Sequence, residues 1–192
     1  MGVKTLEYVG PIRDVKMINK MKQILKKTSI RNLLLFNIGI NTGIKIHDLL
    51  FLKVKDVSDG EHIHEFLDIY DNITDEKKTF YLNARVRETL ADYLKNSDLK
   101  LNDYLFKSNK NDQPISRQQA YRIINQAAKE AGFNERIGMH TLRKTFGYHA
   151  YKKGISISII SSIFNHHSTS ETYRYLGINY EDRQQIKVDV NL

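Results

Sequence analysis

The chain has 192 residues, with 30 Lys and Arg against 22 Asp and Glu, a formal net charge of +8, 41% hydrophobic residues and no Cys. That length and apolar content suit a folded domain with a real core, and the lack of Cys excludes a disulfide framework, a thiolate metal site, an iron–sulfur cluster and a cysteine nucleophile. No apolar run reaches the ~18 residues of a membrane span, residues 1–27 lack the apolar core and cleavage site of a secretory signal, and the positive charge points to a polyanion, nucleic acid first.

Ile18, Met21 and Leu25 recur at helical spacing among lysines, which predicts an amphipathic helix over 15–27 with a basic outer face. Asn32 to Ile40 is mostly apolar without strand alternation and reads as a buried helix, ending near Thr42-Gly43. A short helix follows over Ile46 to Leu52. Lys53 to Tyr70 is rich in Val, Ile and Phe around a Ser58-Asp59-Gly60 turn, which predicts a hairpin, with Lys78 to Leu82 as a third strand. Val86, Leu90, Tyr93 and Leu94 restore the helical period. Ser116 and Gln119 form a capping-box pattern before Tyr121, Ile124 and Ala128, and Gly132 stops that helix. Helical segments are expected at about 140–153, 156–164 and 169–177. The chain is therefore read as mostly α with a small three-stranded antiparallel sheet, an α+β fold with no internal repeat and no strong domain boundary.

His62 and His64 alternate on a probable strand, but two ligands do not make a metal site, and no metal is expected. Neither a phosphate-cradling Walker pattern nor a dinucleotide fingerprint is present, so no nucleotide cofactor is expected either. The chemistry concentrates in the C-terminal half. His140 and Arg143 lie three apart and share a face at a helix start. Both can donate to phosphate oxygens, Arg143 through a planar fork. His166 adds a donor or proton shuttle, and Tyr173 and Tyr175 follow. A phenol becomes a useful nucleophile where cations stabilise the phenolate or a base takes the proton. His and Arg clustered near a Tyr in a basic chain without metal motifs fit phosphoryl transfer through a phosphotyrosine.

Order and spacing are similar to those of the tyrosine recombinase (phage integrase) family over about residues 12 to 178. Asn41-Thr42-Gly43-Ile44-Lys45-Ile46-His47-Asp48-Leu49-Leu50 resembles the family's Thr-Gly-hydrophobic-Arg motif. His140-Thr141-Leu142-Arg143 resembles its His-x-Leu-Arg, and Phe164-Asn165-His166 its Leu-Gly-His. Tyr175 stands nine residues after His166, at the family's spacing for the nucleophile. The resemblance implies a catalytic domain over 15–178 that cleaves and rejoins DNA through a 3′-phosphotyrosine link and a free 5′-hydroxyl, without metal or other cofactor. Tyr175 would attack, Arg143 and His140 would hold the non-bridging oxygens, and His166 would assist. Asp48 keeps the family's supporting acidic residue.

Two positions depart from the pattern. Lys45 stands where the family has its first Arg, keeping the charge without the bidentate fork. Ile73 stands where the family has a catalytic Lys in a strand turn, so Lys77 and Lys78 are the supporting candidates for its role. A protein that binds DNA on a recombinase scaffold with decayed chemistry is the alternative reading. An unrelated basic helical regulator would leave His140, Arg143, His166 and Tyr175 far apart. Lys144, Lys16 and Lys20 are the expected DNA-binding residues. The resemblance further implies self-association on double-stranded DNA as dimer or tetramer and a cytoplasmic, nucleoid-associated location. Residues 1–14 read as an N-terminal lead, and 179–192 as a tail that either docks on a neighbouring protomer or hangs free. Family members usually add an N-terminal helical DNA-binding domain, and this length has room for the catalytic half alone.

Overall fold

The computed structural model describes residues 9–70, 76–135, 137–138 and 140–179. Helix α1 (Val15–Thr28) begins where the Asp14 carboxylate accepts the Lys16 amide at 2.8 Å, an N-cap that satisfies one of the orphan donors of the first turn. It buries Ile18, Met21 and Leu25 and leaves Lys16 and Lys20 exposed. Helix α2 (Ile30–Thr42) is apolar almost all round, and Leu34, Leu35, Phe36 and Ile38 are fully buried. A helix without a polar face must be enclosed, and α1, α5 (Ala84–Lys95) and α7 (Thr141–Lys152) pack around this one. Gly43 ends α2 at φ +70°, where a Cβ would also collide with the Phe146 ring, so both backbone and space call for glycine.

The short helices α3 (Ile46–Leu50) and α4 (Val54–Val57) precede an antiparallel pair, β1 (Phe66–Tyr70) and β2 (Lys77–Tyr81), in register from Phe66↔Tyr81 to Tyr70↔Lys77. The sheet has two strands among the described residues, not the expected three. Asp56 accepts the Lys53 amide at 2.7 Å and winds Lys53–Val57 into a helical turn, leaving only a single bridge, Ser58↔Ile63, where the first hairpin was expected. Valine's strand preference loses here to a local cap. Ile73 lies outside the described residues, as do residues 180–192 of the tail.

Ser116 caps α6 (Arg117–Ala131) by accepting the Gln119 amide at 3.1 Å, and Gly132 closes it at φ +83°. Helices α7, α8 (Ile157–Phe164) and α9 (Thr169–Leu176) share a second core of Tyr151, Ile160, Phe164, Leu176 and Ile178. Gly147 on α7 is the contact point, since a Cβ there would stand 2.8 Å from both Leu176 and Phe164. Its bare backbone lets α9 approach α7 closely. No helix among the described residues is long and apolar enough to cross a membrane.

Candidate active site

Helix α7 carries an unusual run of buried polar side chains: Thr141, Arg143, Lys144 and Thr145 are all 9% exposed or less. Arg143 is held at three points. Its guanidinium donates to the Gly43 carbonyl and, at 2.8 Å, to the Phe164 carbonyl, and it lies 4.3 Å from the Phe164 ring centroid. Those carbonyls stand at the C-terminal ends of α2 and α8, where the helix dipole is negative. Burial pushes the Arg143 pKa down, opposed by the charges of Tyr175 and Asp48. Guanidinium remains a cation in such surroundings.

Asn165 caps α8 in the left-handed region at φ 53°, a conformation Asn tolerates better than most side chains. The turn presents the Phe164 carbonyl to Arg143 and brings His166 back over Tyr175, with ring centroids 5.0 Å apart. His166 Nδ1 is set by Thr172 Oγ1 at 2.9 Å, and Thr172 in turn meets Ser161 Oγ. On the other side, His140 Nδ1 lies 3.3 Å from the Tyr175 hydroxyl. The four residues picked out by motif spacing, His140, Arg143, His166 and Tyr175, thus belong to one cluster.

Arg143 also lines an adjoining cleft of about 490 Å³ with Lys45, Asp48, Lys78, Phe80 and Ile163. Lys45 and Lys78 therefore converge on the same cavity as Arg143. Lys77 does not itself line the cleft, but it pairs at 2.9 Å with Asp68, which does. The other carboxylates at the cleft are engaged: Asp68 with Lys77 and with Thr79 at 2.6 Å, Asp56 with the Lys53 amide. The lining thus carries Lys45, Lys78 and Arg143 against Asp48, Asp56 and Asp68, of which Asp68 is ion-paired with Lys77.

Lys144, expected at a DNA surface, is only 6% exposed. Its ammonium donates to the Val9 carbonyl at 2.7 Å and lies 4.9 Å from the Tyr175 ring centroid. Lys16 and Lys20 are on the exposed face of α1, and Tyr173 packs edge-on to Tyr151 at 5.8 Å. Thr172 and the Phe164 carbonyl escaped the sequence reading. Their only signals are a threonine three residues before Tyr175 and a helix stop before His166.

Burial lowers the pKa of His140, helped by Lys144, Arg143 and Arg117. Burial also lowers that of His166, where Glu171 opposes the shift and Arg143 and His167 add to it. Both imidazoles are thus neutral at pH 7 and act as hydrogen-bonding groups or bases. In NMR titrations both should take up protons below the ordinary 6.5. The unfolded chain protonates these sites first, so their contribution to stability is complete above about pH 6.5 and is lost progressively as the pH falls from there through the lowered folded-state values.

The sequence profile of the phage integrase family matches residues 13–182. The chain is 41% identical over 174 residues to the "Probable integrase/recombinase YoeC" of Bacillus subtilis (strain 168), covering 91% of this chain and 92% of that protein. Among solved structures, a XerA recombinase superposes with TM-score 0.76 at 21% identity, over 95% of this chain and 66% of that one. A lambda integrase(75-356) dimer bound to a COC′ core site matches with TM-score 0.67 at 18% identity, over 96% of this chain and 64% of that one. At such identities the structural likeness speaks to fold. The chain spans 64% of one further curated relative and 49% of another.

Proposed function

Because the chain belongs to the phage integrase family of tyrosine recombinases, we propose that it is a site-specific DNA strand transferase with Tyr175 as nucleophile. The observation that carries this reading is the meeting of Tyr175, His140, Arg143 and His166 beside a cleft that holds Lys45 and Lys78. The Tyr175 oxygen attacks phosphorus and passes its proton to His140. The bond to the 5′-oxygen breaks, that oxygen takes a proton from Lys78, and a 3′-phosphotyrosine link remains. A partner strand's 5′-hydroxyl reverses the step. Arg143, His166 and Lys45 hold the non-bridging oxygens, and electrostatic stabilisation of the transition state is the main contribution. Lys78 takes the leaving-group role because Ile73 has no proton to give. Asp48 steadies Arg143 by its charge.

The substrate is double-stranded DNA, gripped through its backbone with Lys16 and Lys20 contributing. Assembly is as dimers or tetramers on paired sites, with the 179–192 tail docking between protomers, and the protein works at the nucleoid in the cytoplasm. The test presents a pool of nicked duplexes with random core sequence and recovers adducts that survive boiling in detergent. Wild-type protein should yield adducts that map to Tyr175 by mass spectrometry. Lys45→Arg, by restoring the bidentate fork, should form them faster by on the order of 10². Sequence-selective binding with no adduct from either protein would instead establish a DNA-binding protein with decayed chemistry.

A further inference from the structure

The segment Val9–Arg13 crosses α7 and reaches α9. Ile12 is fully buried, its amide donates to Thr145 Oγ1 at 2.9 Å, and its carbonyl lies 2.9 Å from His149 Nε2. The Val9 side chain rests on Gly138, where a Cβ would stand 2.9 Å from it, two residues before His140. The Val9 carbonyl holds the Lys144 ammonium at 2.7 Å. Arg13 donates to the Gly177 carbonyl at 2.8 Å, with its guanidinium 5.0 Å from the Tyr148 ring centroid.

Two lines of contact therefore run from this segment to Tyr175. One passes from the Val9 carbonyl through Lys144 to the face of the Tyr175 ring, 4.9 Å away. The other ends on Gly177, the left-handed cap of α9, two residues beyond Tyr175. A cation there satisfies a terminal carbonyl and complements the helix dipole, which steadies the last turn of α9, where Tyr175 sits. Lys144 is buried on α7 at real cost, since an enclosed ammonium needs compensation. A carbonyl on one side and an aromatic face on the other supply it. A residue serving only to fill space at that point would be apolar.

We infer that Val9–Arg13 is a strap that positions Tyr175, with Arg13 and Lys144 as its positioning residues, so that releasing the strap withdraws the nucleophile while DNA affinity is kept. This rests on the reading of Tyr175 as nucleophile. Attack geometry is sensitive enough that a displacement of about 1 Å can cost about 10² in rate.

The test uses the full chain with 3-fluorotyrosine at position 175 as its only fluorine. It reads the 19F resonance, single-turnover adduct formation on the recovered suicide duplex, and DNA affinity by anisotropy. Arg13 is exposed, so Arg13→Gln should fold normally. It is expected to shift or broaden the resonance and slow adduct formation by roughly 10- to 100-fold with affinity held within about twofold. Arg13→Lys should recover part of the rate. Lys144→Met should behave like Arg13→Gln and Lys144→Arg should rescue it. An unchanged resonance in Arg13→Gln, an unchanged rate, or rate and affinity falling together would overturn the strap. If wild-type protein forms no adduct, the strand-transfer reading fails, and the resonance alone then decides whether the strap holds Tyr175.

Discussion

Tyr175→Phe should abolish the covalent adduct while leaving the fold and DNA affinity almost unchanged. The ring keeps its packing: it lies 5.0 Å from His166 and 5.5 Å from Phe164, and Lys144 stands 4.9 Å from its centroid. The hydroxyl is lost with its 3.3 Å contact to His140 Nδ1 and its interaction with Arg143. A half-exposed neutral hydrogen bond contributes about 1 kcal/mol to stability, so the melting temperature should move by only a few degrees. No neighbouring group can replace the oxygen that would bond to phosphorus. Detergent-resistant adducts read the chemistry, and anisotropy at several salt concentrations reads the binding. Affinity should fall steeply with salt for wild type and variant alike, with the same slope, because the phosphate contacts are shared. An adduct from the Phe variant would place the nucleophile elsewhere.

Arg143→Lys is expected to lower the cleavage rate by about 10²–10³, the loss typical of one oxyanion donor, and to destabilise the protein as well. The guanidinium satisfies the carbonyls of Gly43 and Phe164 at once and lies against the Phe164 ring at 4.3 Å. An ammonium reaches one of these points and loses the planar fork. One buried carbonyl is then left without a donor, at about 1–3 kcal/mol, or a fall of roughly 2–4 °C in melting temperature per kcal/mol for a chain of this length. Thermal unfolding and single-turnover cleavage separate the two effects, since cleavage measured well below the melting temperature reports the site alone. A rate unchanged from wild type would remove Arg143 from the phosphate clamp. The contrast with Lys45→Arg is informative. That residue is exposed at the start of α3, so the same chemical exchange there acts on the rate with little effect on folding.

Much of this molecule is legible in the sequence because the signals are local. The period of Ile18, Met21 and Leu25 marks the buried face of α1, and Asp14, Asn83 and Ser116 mark helix starts by accepting amides two or three residues on. The one local misreading, a strand over Lys53–Val57, came from β-branched residues whose preference a nearby carboxylate overrode. Helical spacing puts His140 and Arg143 on one face, and the interval from His166 to Tyr175 needs only the turn at Asn165 and a short helix.

What a side chain meets across the chain is another matter. The Gly43 carbonyl that holds Arg143 is 100 residues away, and the Val9 carbonyl that holds Lys144 is 135 away. Periodicity separates two faces of a helix, but α7 is covered by α2, by α9 and by the Val9–Arg13 segment, so it has no single polar side. That is why Lys144, outward by any reading of composition, turns inward to Tyr175. In the same way alternation along β2 puts Lys77 and Lys78 on opposite faces, and only the position of the hairpin makes Lys78 the one that lines the cleft with Arg143. Local signals mark most of the helices and their caps, and motif spacing picks out the residues that cluster around Tyr175. Which cations line the cleft and which one lies against Tyr175 is settled only by packing, because those choices depend on burial between elements far apart in the chain.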